Sequence, residues 1–319
     1  MNKRLLALVT VIILLWSTQV AIISSQPLWD WKESKGTVGN VEVIIQQHSP
    51  IYIIKYANVR DYGYSVILKR LIEYIDMNGN KIYDSGDDIL AQAPLVSKIT
   101  WNIIVKNITI GNTSGLVITL EGSPLVTGRH QRGPPRTAHV VITSYLIKDT
   151  GKINGYFING TNEIKVDIQI ERWPWSSTKS YLALEIEVTC ENKKVKTKHM
   201  QGIGSRNGEK AHKLTVEASG VPYNLTLWVN TDVLVNGEKK DILGTSILGN
   251  VLYVSYPRFE ENIIHDPIIS LSKLRETFYR FVPSEFRVLT YYLALAVFCG
   301  ILVIYGIRRK MRKYTQAYS

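Results

Sequence analysis

The sequence reads as a mainly β chain, one or two antiparallel β-sandwiches with an apolar helical segment at each end. Three observations carry this. Glu163 to Glu171 alternates without a break, Ile164, Val166, Ile168 and Ile170 on one face and Lys165, Asp167, Gln169 and Glu171 on the other, as a half-buried antiparallel strand does. Turn dipeptides recur between such runs: Asn78-Gly79, Ser114-Gly115, Asn154-Gly155, Asn159-Gly160, Asn207-Gly208 and Asn236-Gly237. Two uncharged runs, Leu5 to Leu15 and Val288 to Ile307, bracket the whole.

The first run comes directly after Met-Asn-Lys-Arg as the apolar core of a secretory signal comes after its charged start, so residues 1–25 are expected to be a signal peptide cut near Ser24 or Ser25. The alternative is an uncleaved anchor over Leu5 to Ile23; in either case the region from about Gln26 onward is exported. The second run, twenty residues without a charge, is about 30 Å of helix at ~1.5 Å per residue, the thickness of a bilayer core. Tyr291, Tyr292 and Tyr305 sit near its ends as interfacial aromatics do. Arg308, Arg309, Lys310, Arg312 and Lys313 lie behind it and only Arg287 precedes it, which places the C-terminus in the cytoplasm. The expectation is a single-pass protein of the cell membrane, held in lipid by one C-terminal helix (288–307), with a basic tail (308–319) too short to fold.

The formal net charge of +11 across 319 residues therefore carries no nucleic-acid signal. Lys3 and Arg4 supply two of those charges and the tail five, leaving +4 on everything between. Topology and attraction to anionic lipid account for the terminal charges. Function is expected in the exported region.

Within that region, strand-like runs cover Val41 to Gln46, Val66 to Ile75, Ile99 to Val105, Leu116 to Leu120, His139 to Ile147, Leu182 to Cys190, Lys213 to Ala218, Leu225 to Val229 and Asn250 to Tyr256. Residues 128–136, with two glycines and two prolines, form a loop or linker that no strand can cross. It separates a sandwich over 26–127 from a second over 137–269, or divides one large β domain. Residues 270–287 are expected to be an amphipathic juxtamembrane segment, with Leu271, Leu274, Phe278 and Phe281 at helical spacing. Of two cysteines, Cys299 lies in the membrane span and Cys190 ends a strand, where a buried thiol acts as a small hydrophobe. The exported region can form no internal disulfide.

One motif offers a substitute. Asp76, Asn78, Asn80, Asp84 and Asp87 fall at positions 1, 3, 5, 9 and 12 of a loop, with the Ile82 carbonyl at position 7, an oxygen-only set that suits calcium. Residues 76–88 resemble the calcium loops of EF-hands and dockerins, and more closely those set after a strand in β-sandwich surface proteins. Lys81 stands where EF-hands have glycine, and Asp87 where they have a bidentate glutamate. The resemblance implies a structural calcium ion. At a hundredfold excess of calcium over the dissociation constant, linkage would add about 2.7 kcal/mol.

Asn107, Asn112, Asn159 and Asn224 head N-glycosylation sequons, and alternation in Leu225 to Val229 turns Asn224 and Trp228 outward. Trp228, with Trp173 and Trp175 of a Trp-Pro-Trp corner, is a candidate contact for a glycan or another surface protein. The six histidines form no metal-ligand pattern, and no nucleophile elbow or phosphate loop is present. With its signal, β-rich exterior, calcium-type loop and C-terminal anchor, the chain resembles uncharacterised single-pass cell-surface proteins common in archaea. That implies a membrane-anchored surface protein without assigning a ligand; with no catalytic motif in view, the expectation is a protein that is not an enzyme and serves binding, adhesion or structure. A subunit of a membrane complex is one alternative; a surface carbohydrate hydrolase, which needs a cleft with facing carboxylates, is the other.

Overall fold

A computed structural model describes residues 29–30, 34–46, 49–59, 62–97, 99–129, 135–160, 162–199, 204–206 and 208–273. The expected signal segment, the expected transmembrane run, the basic tail and all of 274–287 lie outside the described residues. The described part is mainly β, built from antiparallel strand pairs.

Two large sheets account for most of it. Along the first run the strands Trp29–Asp30, Lys35–Val38, Val41–Ile45, Ile51–Tyr56, Tyr64–Ile75, Tyr181–Cys190, Val251–Tyr256 and Gly244–Leu248. Along the second run Val195–His199, Glu209–Ala218, Tyr223–Asn230, Ile268–Lys273, Glu163–Glu171, His139–Ile147, Thr113–Gly122 and Asn102–Ile110. Asn-Gly turns behave as their chemistry requires. Asn154 and Gly155 both take positive φ in the hairpin that sets Ile153 opposite Tyr156, and Asn236 and Gly237 do so between Val235 and Glu238.

Pairing runs straight across the 128–136 segment. Tyr64–Ile75 lies beside Tyr181–Cys190, with Tyr74 opposite Tyr181 and Tyr64 opposite Cys190, and Thr113–Gly122 lies beside His139–Ile147. The two halves of the chain thus share both sheets instead of making a sandwich each, because strands before the segment find their hydrogen-bond partners after it.

The sheets turn their apolar faces to each other. Val43, Ile54, Leu71 and Leu184 of the first, and Ile118, Val140, Ile168 and Leu225 of the second, belong to one buried cluster. Tyrosines stitch the faces together. Tyr64 donates its hydroxyl to the Tyr223 carbonyl (2.9 Å) and accepts the Ala218 N–H (3.0 Å), Tyr56 donates to the Leu271 carbonyl (3.0 Å), and Ser144 donates to the Tyr52 hydroxyl (3.2 Å). Each phenol fills core volume and finds a polar partner on the opposite sheet, as burial demands. Cys190 is buried among these residues as a free thiol, its pKa raised by burial.

Three local expectations need correction. Ser114-Gly115 is not a turn: the hairpin turns at Gly111-Asn112, and Gly115 sits inside a strand where a Cβ would lie 2.2 Å from the Leu146 carbonyl oxygen. That close approach explains the glycine. The strand expected over Ile99 to Val105 accordingly runs later, over Asn102–Ile110. The amphipathic helix expected from Ser270 does not begin there. Ile268–Lys273 is a strand between Tyr223–Asn230 and Glu163–Glu171, with Leu271 in the core.

Candidate functional site

The loop 76–88 brings its predicted residues together. Asp76 Oδ1 accepts the N–H groups of Asn78 (3.1 Å) and Gly79 (2.9 Å), and its Oδ2 accepts that of Lys81 (2.7 Å). Asn78 Oδ1 accepts from Asn80 N, Asn80 Oδ1 from Ile82 N, and the two oxygens of Asp87 from Met77 N and Asp84 N. Desolvation acts to raise the Asp76 pKa, but these backbone donors outweigh it and hold the carboxyl below its usual range. Lys81 takes φ 63°, the left-handed conformation for which EF-hands use glycine at this position. The donor set suits a hard cation, and a carboxylate oxygen that accepts one N–H keeps a second lone pair. Among the described residues, however, no three His, Cys, Asp or Glu side chains gather as a metal-holding group.

The loop also docks onto the outer face of the first sheet. Tyr83 packs on Tyr74 (ring centroids 5.2 Å apart) and Tyr253 (4.8 Å), its N–H donates to Ser255 Oγ (2.9 Å), and Tyr74 donates to the Lys81 carbonyl (2.8 Å).

The tryptophan corner is a plug. Trp173 is buried and donates Nε1–H to Glu73, itself wholly buried, whose carboxylate also accepts from Ser176 N, Ser177 N and Ser180 Oγ. Trp175 donates to the Phe259 carbonyl (2.8 Å) with the Arg258 guanidinium 4.7 Å above its ring. Trp228 is half-buried beneath Lys213 and packs against the Ile147, Ile153, Ile158 and Ile268 cluster. Asn107, Asn112 and Asn159 are exposed, but Asn224 is buried, contrary to the outward position expected of it. The face that alternation assigns to solvent is covered around this strand.

A concave site lies elsewhere, on the outer face of the second sheet. Its floor is formed by outward residues of His139–Ile147 and Glu163–Glu171, among them Val141, Thr143 and Gln169. One wall is the hairpin of Gly151–Ile153 and Tyr156–Ile158, bearing Asn154 and Tyr156; the other comes from Asp232–Val235, Glu238–Asp241 and Asn262–His265. The cleft encloses about 450 Å³.

Behind that lining, against Tyr145, Tyr156, Asp167 and Asp266, stands Lys165, completely buried. Its Nζ contacts Asp167, lies 3.6 Å from Asp266 Oδ1, and sits 5.5 Å and 5.1 Å from the ring centroids of Tyr145 and Tyr156. Burial pushes the Lys165 ammonium below the ordinary lysine range, with Asp266 pulling the other way. Asn154 donates to Asp167 (3.0 Å), and Lys239 pairs with Asp232 (2.5 Å). Sequence reasoning missed this set. Lys165 and Asp167 read as a solvated strand face, and no pattern in the sequence links them to Asp232 or Asp266.

Beside the cleft, His265 is sealed from water, with Nδ1 against the Tyr256 hydroxyl (2.9 Å) and Nε2 against the Asn230 carbonyl (3.0 Å). Burial drives its pKa down to about 4, aided by Lys165 and His212 and opposed by the Asn230 carbonyl and Asp266. No protein-family model matches the chain, and no curated protein matches it.

Because the unfolded chain protonates His265 near its ordinary value of 6.5 and the folded one only near 4, stability falls as pH drops through that window. The expected loss is about 3 kcal/mol. Urea unfolding between pH 7 and 4 should show it, and His265→Gln should flatten that slope; an unchanged slope in the variant would assign the acid sensitivity elsewhere.

Proposed function

We propose that the chain is a membrane-anchored surface protein whose two packed sheets form an outward-facing β-sandwich module, and that this module binds a ligand without turning it over. The observation that carries this is the cleft in front of Lys165: a concave site whose three aspartates each lie against a lysine, Asp167 and Asp266 sharing Lys165 and Asp232 meeting Lys239. A glycoside-cleaving pair needs one carboxyl held protonated as the acid, usually in an apolar setting. Here Asp167, Asp232 and Asp266 each face an ammonium, an arrangement that suits recognition. Glu209, whose carboxyl is raised above its usual range by burial and by the nearby Asp232 and Asp266, does not itself line the cleft. Export and anchoring rest on the uncharged runs at the two ends and the five basic residues after Ile307. Among the described residues no helix is long and apolar enough to cross a membrane, and 288–307 lies outside them.

Calcium belongs to this reading as a structural ion for loop 76–88. The left-handed Lys81 and the oxygen-only donor set support it. The ion's role would be to lock a loop whose Tyr83 covers the outer face of the first sheet.

Protease added outside cells that make the full chain with a C-terminal tag should remove the ectodomain and leave a small tagged fragment. A chain that stays intact outside and is cut only after lysis would reject the surface assignment. Chelation should lower the thermal midpoint of the purified protein by several degrees, and added calcium should restore it. A midpoint indifferent to chelator removes calcium from the account.

A further inference from the structure

Resting on the reading of this module as an outward binding domain, we infer that the cleft above Lys165 takes an uncharged polyhydroxylated ligand, a neutral glycan. The first argument is charge. Lys165 is committed to Asp167 and Asp266, and Lys239 to Asp232. An anionic ligand would enter against three carboxylates that only two ammonium groups face, and a cationic one would have to compete with Lys165 and Lys239 for carboxylates they already hold. An anion brought against that excess negative charge is costly. A hydroxyl both donates and accepts. Neighbouring hydroxyls of one sugar can therefore donate to Asp232 and accept from Lys239 or Asn154 without breaking the ion pairs.

The second argument is surface character. Val141 and Ile264 line the cleft beside Thr143 and Gln169, and Leu234 on its wall is 41% exposed. Sugar rings are amphipathic, with C–H patches between rims of hydroxyl groups, and a site of alternating apolar and hydrogen-bonding side chains matches that pattern. A cleft of about 450 Å³ falls within the range that small-molecule sites occupy. The third argument is rigidity. The floor consists of paired strands, and one wall is tied to it by the Asn154 bond to Asp167 (3.0 Å). Polar groups held in advance lose little entropy on binding.

The test uses the full chain in detergent on an array of neutral, acidic and amino glycans, with calorimetric titration of the hits. Neutral oligosaccharides should bind. Asp232→Ala, which removes an acceptor, and Thr143→Tyr, which fills the floor, should each weaken binding at least about tenfold, the size of one hydrogen bond to a charged group. Leu248→Ala, exposed and outside the cleft, should not change it. A blank array, binding confined to acidic or amino glycans, or wild-type affinity in both cleft variants would overturn the inference. A blank array from a protein whose ectodomain external protease removes would end the ligand assignment alone. Neutral-glycan binding by a chain shielded from that protease would instead end the surface assignment.

Discussion

One ammonium group holds the candidate site together. Lys165 belongs to a strand whose alternate residues, Ile164, Val166, Ile168 and Ile170, are buried between the sheets, so its own side chain points away from the core. It is nonetheless fully shielded, under the rings of Tyr145 and Tyr156 and against Asp167 and Asp266. A charge withdrawn from water is tolerated only with compensating partners. Those partners come from four places: its own strand, which supplies Asp167, the neighbouring strand His139–Ile147, the hairpin around Asn154-Gly155, and the turn joining Asn262–His265 to Ile268–Lys273. The lysine thereby fixes the relative positions of floor and walls, and the cleft takes its form around it.

The same construction appears on the other sheet, with different chemistry. There the outer face is covered by loop 76–88 through the Tyr74, Tyr83 and Tyr253 rings, and beside it Glu185, which is buried, accepts from Arg70 (2.5 Å) and faces Lys69 (3.4 Å). Glu73, also on that sheet, anchors the tryptophan corner through four hydrogen bonds. Both sheets are thus covered in part on their outer faces. With its one described cysteine a free thiol, the chain gains burial this way, layering loops and hairpins over a two-sheet core.

That layering decides what could be read from the sequence. The strands were legible because one face of each obeys period two: the inner set Ile164, Val166, Ile168 and Ile170 is buried as expected, and so is Cys190. The partners of each strand were not legible, because pairing of Tyr64–Ile75 with Tyr181–Cys190 depends on contacts more than a hundred residues apart. Outer faces misled. Lys165, Glu185 and Asn224 occupy positions that alternation assigns to solvent, and all are buried, since periodicity cannot report that a hairpin or loop lies on top. The calcium-type loop was visible because its residues are contiguous. The cleft was not, because Lys165, Asp232 and Asp266 come together only after folding.

The central claim is that the buried ammonium organises the cleft, and Lys165→Met tests it most directly. Methionine keeps much of the volume and removes the charge, leaving Asp167 and Asp266 facing a partly buried space without a cation. Denaturant unfolding at neutral pH should show a loss of about 3 kcal/mol, with hydrogen exchange quickening first in the 151–158 hairpin and the strand Asn262–His265. Unchanged or increased stability, with exchange in those segments as in the wild type, would contradict the account.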